Sequence, residues 1–171
     1  FGALLARADL ESLALAEAGD PTRAEPARAG RAVKRALDLA HAGLPRLRAQ
    51  QPEHPLLAGL SGFRERARPW LELDALFEVI AERQGHDDPE RFDPALRSLF
   101  EDSEAGRERR RSLSSTLAAP LERETLAQHV AHAQAVAFRN AARESGIVLF
   151  GDLQIGWSLR DRFLRRAAFA E

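Results

Sequence analysis

The chain contains no cysteine. Disulfide scaffolds and thiolate metal sites are therefore excluded. It contains no methionine either, not even at position 1. A complete translated chain begins with one, so Phe1 is not expected to be a natural start. Arg162 to Glu171 reads as a helix with no glycine stop, proline or polar tail. The expectation is a piece of a longer protein; a processed secreted domain competes with it, without a signal-peptide remnant in support. Lys34 is the only lysine against many arginines, a bias that suggests GC-rich coding and carries no function. Neither sign of charge is in excess: 25 basic and 26 acidic residues leave a net charge of -1. No strong field for nucleic acid or an anionic membrane follows. No apolar run approaches the roughly 20 residues of a membrane span. Gly-rich phosphate loops, nucleophile elbows and HExxH are also missing.

What is present is enough apolar side chain, 44% of 171 residues, for one ordinary domain with a core. The pattern is mostly helical. Leu10, Leu13, Ala14 and Glu17 open a short amphipathic stretch that Gly19-Asp20-Pro21 stops. Residues 21–30, rich in Pro, Ala and Arg, read as a linker. Val33, Leu37, Ala40, Leu44 and Leu47 form a helical stripe that Pro45 is expected to break or kink. Pro52 and Pro55 close that region, and Leu56, Leu57, Leu60 and Phe63 give the next helical face. Pro69 then reads as the start of a helix to about Gln84, with Trp70, Leu73, Leu76, Phe77 and Ile80 as core. Gly85-His86-Asp87-Asp88-Pro89 is a turn cluster. Asp93-Pro94 suits the cap and first turn of a short helix through Phe100. Residues 101–120 fit a solvated helix or a connection. Leu121 to Ser145 is the longest uninterrupted helical window, capped by Gly146. The pattern then changes: Ile147-Val148-Leu149-Phe150, bounded by glycines, predicts a strand buried on both faces, as in parallel sheets.

Asp152 lies just past that strand, where polar residues of parallel β/α folds face an active site. From spacing alone, a turn or capping role is an equal alternative. Asp161 reads as the N-cap of the last helix. His129 and His132 can share a helix face, yet no third ligand at recognisable spacing joins them. His86-Asp87-Asp88 reads as a solvated loop. Arg107, Arg109, Arg110 and Arg111 form one basic cluster, but Glu101, Asp102, Glu104 and Glu108 flank or interleave it, which argues for a solvated helix face.

Several of these segments together resemble the 4-α-glucanotransferases, or amylomaltases, of the α-amylase superfamily. Residues 146–155, GIVLFGDLQI, resemble the family's "RGI.I.GDLPI" block, with Gln154 in place of proline. Asp161-Arg162-Phe163 and Phe169 resemble a "DVW…LF" element, with Phe163 for tryptophan and a loop about two residues short before Asp161. Gln128 and Gln134 match two glutamines six apart on the preceding helix. Residues 70–77, WLELDALF, resemble "WLDDYALF", with Asp74 at the tyrosine position. Asp93 to Arg97 resembles "WP..LR", and Val33-Lys34 with Leu37 a weaker "V..K...L". Order and spacing hold from about residue 30 to 171.

The resemblance implies a (β/α)₈ TIM barrel with helical insertions, of which this chain is a mainly α segment. Residues 1–29 are then a lead-in segment and linker, and 30–118 a helical subdomain. Residues 119–171 supply a barrel helix, a barrel strand and the following loop and helix. It further implies glucanyl transfer between maltooligosaccharides by retaining double displacement, in the cytoplasm, with no cofactor, metal, nucleic acid or membrane. The family's nucleophile and acid/base blocks, "R.DH.RG" and "E.LG", lie downstream and do not occur in this chain. Asp152 is then an active-site support, Gln154 belongs to a possible substrate loop, and Gln128, Gln134 and Trp70 are structural; Trp157, which has no family counterpart, is open between a sugar-stacking platform in that loop and a loop-packing role. Two alternatives stay open: a stand-alone helical interaction or regulatory module, and a non-transferase relative of the same barrel, which the departures at Asp74, Gln154 and Phe163 keep open.

Overall fold

The computed structural model of the chain describes residues 3–16, 25–113, 115–151 and 158–165. Among them the regular structure is entirely helical: α1 (Arg7–Ala16), α2 (Pro26–Gln50), α3 (Pro55–Gln84), α4 (Pro94–Arg97), α5 (Glu104–Leu113), α6 (Ala118–Glu144) and α7 (Leu159–Leu164), with 3-10 turns at Pro89–Arg91 and Ser98–Phe100. The chain divides into two compact units, Phe1–Phe63 and Arg64–Glu171.

In the first unit, α2 buries Ala40, Gly43, Leu44 and Leu47, the 3-and-4 spacing of one helix face. Leu4 and Leu5 are buried as well. Gly43 admits the N-terminal segment at Leu4: a Cβ there would run into the Leu4 carbonyl. That carbonyl accepts a hydrogen bond from Arg46 Nη2 at 3.2 Å.

Two sequence expectations fail at prolines, and at a third proline, Pro45, the expected break does not occur. α2 begins at Pro26, so 26–30 are helix and not linker; Pro26 stands in the first turn, where its missing N–H is no loss. Pro45 lies inside α2 and Pro69 inside α3. A proline inside a helix costs about 3 kcal/mol. Buried residues straddle each one: Leu44 and Leu47 around Pro45, Ala67 and Leu71 around Pro69. Each buried leucine returns about 1.5–3 kcal/mol, so burial on both sides carries the helix through. α3 thereby becomes 30 residues long, longer than the 27 of α6.

In the second unit, Leu76, Phe77, Val79 and Ile80 of α3 form the core with Phe92, Leu99, Leu117 and Phe163. Trp70, expected in the core, is 40% exposed. Both glycine stops occur as read. Gly85 and Gly146 have φ of +71° and +70°, the left-handed conformation that closes a helix. Beyond Gly146, the Ile147 N–H donates to the Ala142 carbonyl at 2.8 Å and the Gly146 N–H to Arg143 at 3.0 Å. Asp93 caps α4 by accepting from the Ala95 N–H at 2.8 Å.

Within residues 101–120, Glu104–Leu113 form α5, a solvated helix, and α6 already begins at Ala118. Its arginines have two jobs. Arg107 pairs with Asp102 at 2.8 Å and Glu104 at 3.2 Å, and Arg111 with Glu104 at 3.1 Å; these hydrogen bonds hold Glu104 below the usual carboxylate range, Arg111 acting most strongly. Arg109 and Arg110 instead reach back, donating to Ser98 Oγ and to the Leu99 carbonyl. Gly106 lets α5 sit against that turn, since a Cβ would collide with the Glu101 carbonyl.

Residues 147–150 differ most from expectation. They form no strand, and all four are exposed, Phe150 by 93%. A parallel strand needs partners on both edges for its backbone groups, and none exists among the described residues.

Candidate functional site

Asp74 and Glu78 lie four apart on α3 and so share a face. α7 comes to that face. Six residues are too few for a helix to persist unaided, so α7 depends on what fastens it. Ser158 caps it, its Oγ accepting from the Asp161 N–H at 3.0 Å and donating to Asp161 Oδ2 at 2.6 Å. Asp161 was expected to be the N-cap; it stands instead three residues inside, completing a reciprocal pair with the serine. The Ser158 hydroxyl holds the Asp161 carboxyl below its ordinary pKa. Phe163 then wedges among Phe100, Phe77 and Phe92, at ring-centroid distances of 5.1, 6.2 and 6.5 Å.

Charge completes the joint. Arg160 Nη1 donates to Glu78 Oε1 at 2.6 Å. Its Nε lies 3.7 Å from Asp74 Oδ1, and Arg165 Nη2 lies 3.7 Å from Asp74 Oδ2. Those two separations give attraction without a hydrogen bond. Asp74 is 7% exposed, and its Oδ1 is buried with no hydrogen-bond partner. Burial pushes the Asp74 carboxyl above the usual carboxylate range, against the pull of Arg160 and Arg165 and with a smaller push from Asp161 and Glu78. A buried anion lacking hydrogen bonds is costly. The cluster holds α7 to α3.

The residues expected at the site are distributed as follows. Asp152, Gln154 and Trp157 lie outside the described residues. On α6, Gln128 is half-buried and Gln134 exposed. His129 is half-buried on the same helix; burial, then the charges of His132 and Arg66, lower its pKa and favour the neutral ring. No group of three metal-ligating side chains occurs among the described residues. Sequence reasoning missed the Asp74–Glu78–Arg160–Arg165 cluster. The available signal was Asp74 itself, a carboxylate inside the apolar run of α3.

The family comparison bears on the whole arrangement. A family model described as 4-alpha-glucanotransferase matches residues 7–161. The match reaches back to α1, further than the motif resemblance that began near residue 30. No curated protein and no solved structure matches the chain. Extending over most of the sequence, the family match places this chain in the 4-alpha-glucanotransferase family.

Proposed function

We propose that this chain is a segment of an enzyme that transfers α-1,4-glucanyl units between maltooligosaccharides. The observation that carries this reading is the family match over residues 7–161, with the ordered motifs inside it. In the proposed enzyme, residues 30–118 form a helical subdomain beside a (β/α)₈ barrel. α6 is a barrel helix, and 147–150 become a barrel strand once neighbouring strands satisfy its edges. The exposure of Phe138 and of Ile147 to Phe150 supports this, because a completed barrel would cover them.

Transfer with retention needs a nucleophile and an acid/base carboxylate roughly 5–5.5 Å apart. The nucleophile forms a covalent glycosyl-enzyme, and the acid protonates the leaving 4-oxygen. The same group then takes the proton from the acceptor's 4-hydroxyl. Those carboxylates are assigned to sequence blocks that this chain does not contain. Asp152 supports the site from the end of the strand, and Gln154 and Trp157 belong to the adjoining substrate loop. Gln128, Gln134 and Trp70 are structural. The substrate is an α-glucan, no cofactor is needed, and the location is cytoplasmic. No described helix is long and apolar enough to cross a membrane.

The test is incubation of the full-length protein with maltotriose, followed by chromatography of the products. Glucose together with longer maltooligosaccharides supports the reading. The 171-residue chain alone is expected to yield neither. A full-length protein without disproportionation points to the second reading, a non-transferase relative, for which the carboxylate at position 74 is the specific observation.

A further inference from the structure

We propose that His54 is a proton-sensitive cap of α3: its neutral ring fastens the first turn of that helix, and acidification releases it.

The first amides of a helix have no partner within it. In α3, Pro55 lacks an N–H, and the Leu57 N–H donates to the His54 carbonyl at 2.9 Å. The Leu56 N–H donates to Nδ1 of the His54 ring at 3.2 Å. A ring nitrogen that accepts carries no proton, so the ring is neutral with its proton on Nε2. Protonation turns Nδ1 into a donor that confronts another donor. The same proton puts a positive charge at the N-terminal end of a helix, where the backbone dipole opposes it. Both effects act in one direction. Nothing at the start of α3 offsets them, because Pro55 to Phe63 includes no charged residue. Arg46 and Arg48 near the end of α2 have the sign that opposes a charged ring, and Glu53 beside it has the sign that favours one.

Other side-chain caps among the described residues use groups that keep accepting down to about pH 4. Asp88 caps the 3-10 turn at Pro89, Asp93 caps α4 and Ser158 caps α7. An imidazole instead changes charge between about pH 5 and 8. His54, Leu56 and Leu57 are all half-buried, so water replaces the lost bond incompletely. Further along the helix, Leu60 and Phe63 are buried. Loss of the cap therefore frays the first turn and stops where burial begins.

The experiment is hydrogen exchange on the full-length protein, read by mass spectrometry over residues 55–60, with each rate corrected for the intrinsic effect of pH on exchange. Between about pH 7.5 and about pH 5.5, the protection of this segment is expected to fall about fivefold. His54→Asn supplies a capping oxygen that does not titrate, and its protection is expected to be the same at both pH values. His54→Ala has no acceptor, and its protection is expected to be low at both. Parent protection that does not change with pH overturns the proton sensitivity. A His54→Ala protein as protected as the parent at the higher pH overturns the cap. A fall in the asparagine variant equal to the parent's gives the response to another group and overturns the assignment to His54.

Discussion

The two halves of α6 have similar composition and opposite surroundings. In the first half Leu126 is fully buried, and Thr125 is buried with its hydroxyl donating to the Leu121 carbonyl at 2.8 Å. Arg123 pairs with Glu82 of α3 and, at 2.8 Å, with Glu124. In the second half Phe138 is 65% exposed, and Ile147 to Phe150 follow it into solvent. The N-terminal half of α6 belongs to a core this chain builds for itself. The C-terminal half, Ala142 apart, and the residues after Gly146 carry apolar surface that nothing among the described residues covers. Helix formation therefore says little about whether a face is complete; a helix can be well capped, as α6 is at Gly146, and still be half-finished in its packing.

The sharpest way to break that comparison is to damage the completed side. Phe163 is buried among three other phenylalanines, and Phe163→Ala is expected to cost about 3–5 kcal/mol. Urea unfolding followed by circular dichroism measures it. A loss well under 1 kcal/mol would mean that α7 is not part of the self-built core.

The parts of this structure legible in the sequence were those governed by local rules. Gly85 and Gly146 could be read because a left-handed helix stop favours glycine, and Asp93 because a capping aspartate before proline has a recognisable form. Pro45 and Pro69 misled because the local penalty was right and the burial that outweighs it is tertiary. The α3–α7 joint was out of reach for a related reason. Glu78 and Arg160 are 82 positions apart, and no periodicity connects them. Ile147 to Phe150 read as a buried strand from their composition, but a strand is a property of pairs of segments. Asp152 is a candidate from its place after the apolar run and from the family resemblance, Gln154 from the resemblance; both, with Trp157, lie outside the described residues.

A smaller effect separates the cap of α7 from its wedge. Ser158→Ala removes the hydroxyl that accepts from the Asp161 N–H and donates to its carboxylate. The expected loss is about 1 kcal/mol near neutral pH. Because the Asp161 pKa is depressed in the folded state, the stability it adds is present above the ordinary aspartate pKa of about 3.9 and is lost as pH falls through the folded value. The difference between parent and variant should therefore narrow below about pH 4. Asp74 has the opposite sign. Its raised pKa makes the fold gain stability as pH falls through the folded value, until the unfolded chain also takes up the proton. Unfolding curves of the two proteins across pH 3–7 distinguish these contributions, and a gap that stays constant throughout would remove Asp161 from the account of the cap.

The smallest effect in this chain is expected on the unfinished half, and it is the most informative. Phe138 is largely in water, so Phe138→Ser removes little buried area, and surface changes of that kind stay within about 0.5 kcal/mol. Helix propensity barely separates the two residues. In the 171-residue chain the substitution should leave the unfolding midpoint nearly unmoved while reducing self-association, since one large exposed apolar side chain is gone. In the full-length protein the same substitution should behave as a core change, costing about 3 kcal/mol or more if the barrel covers position 138. The two measurements form one comparison, with identical chemistry and only the surroundings changed. Equal, small effects in both proteins would mean that the second half of α6 stays exposed in the complete enzyme, and the assignment of α6 as a barrel helix would fall with it.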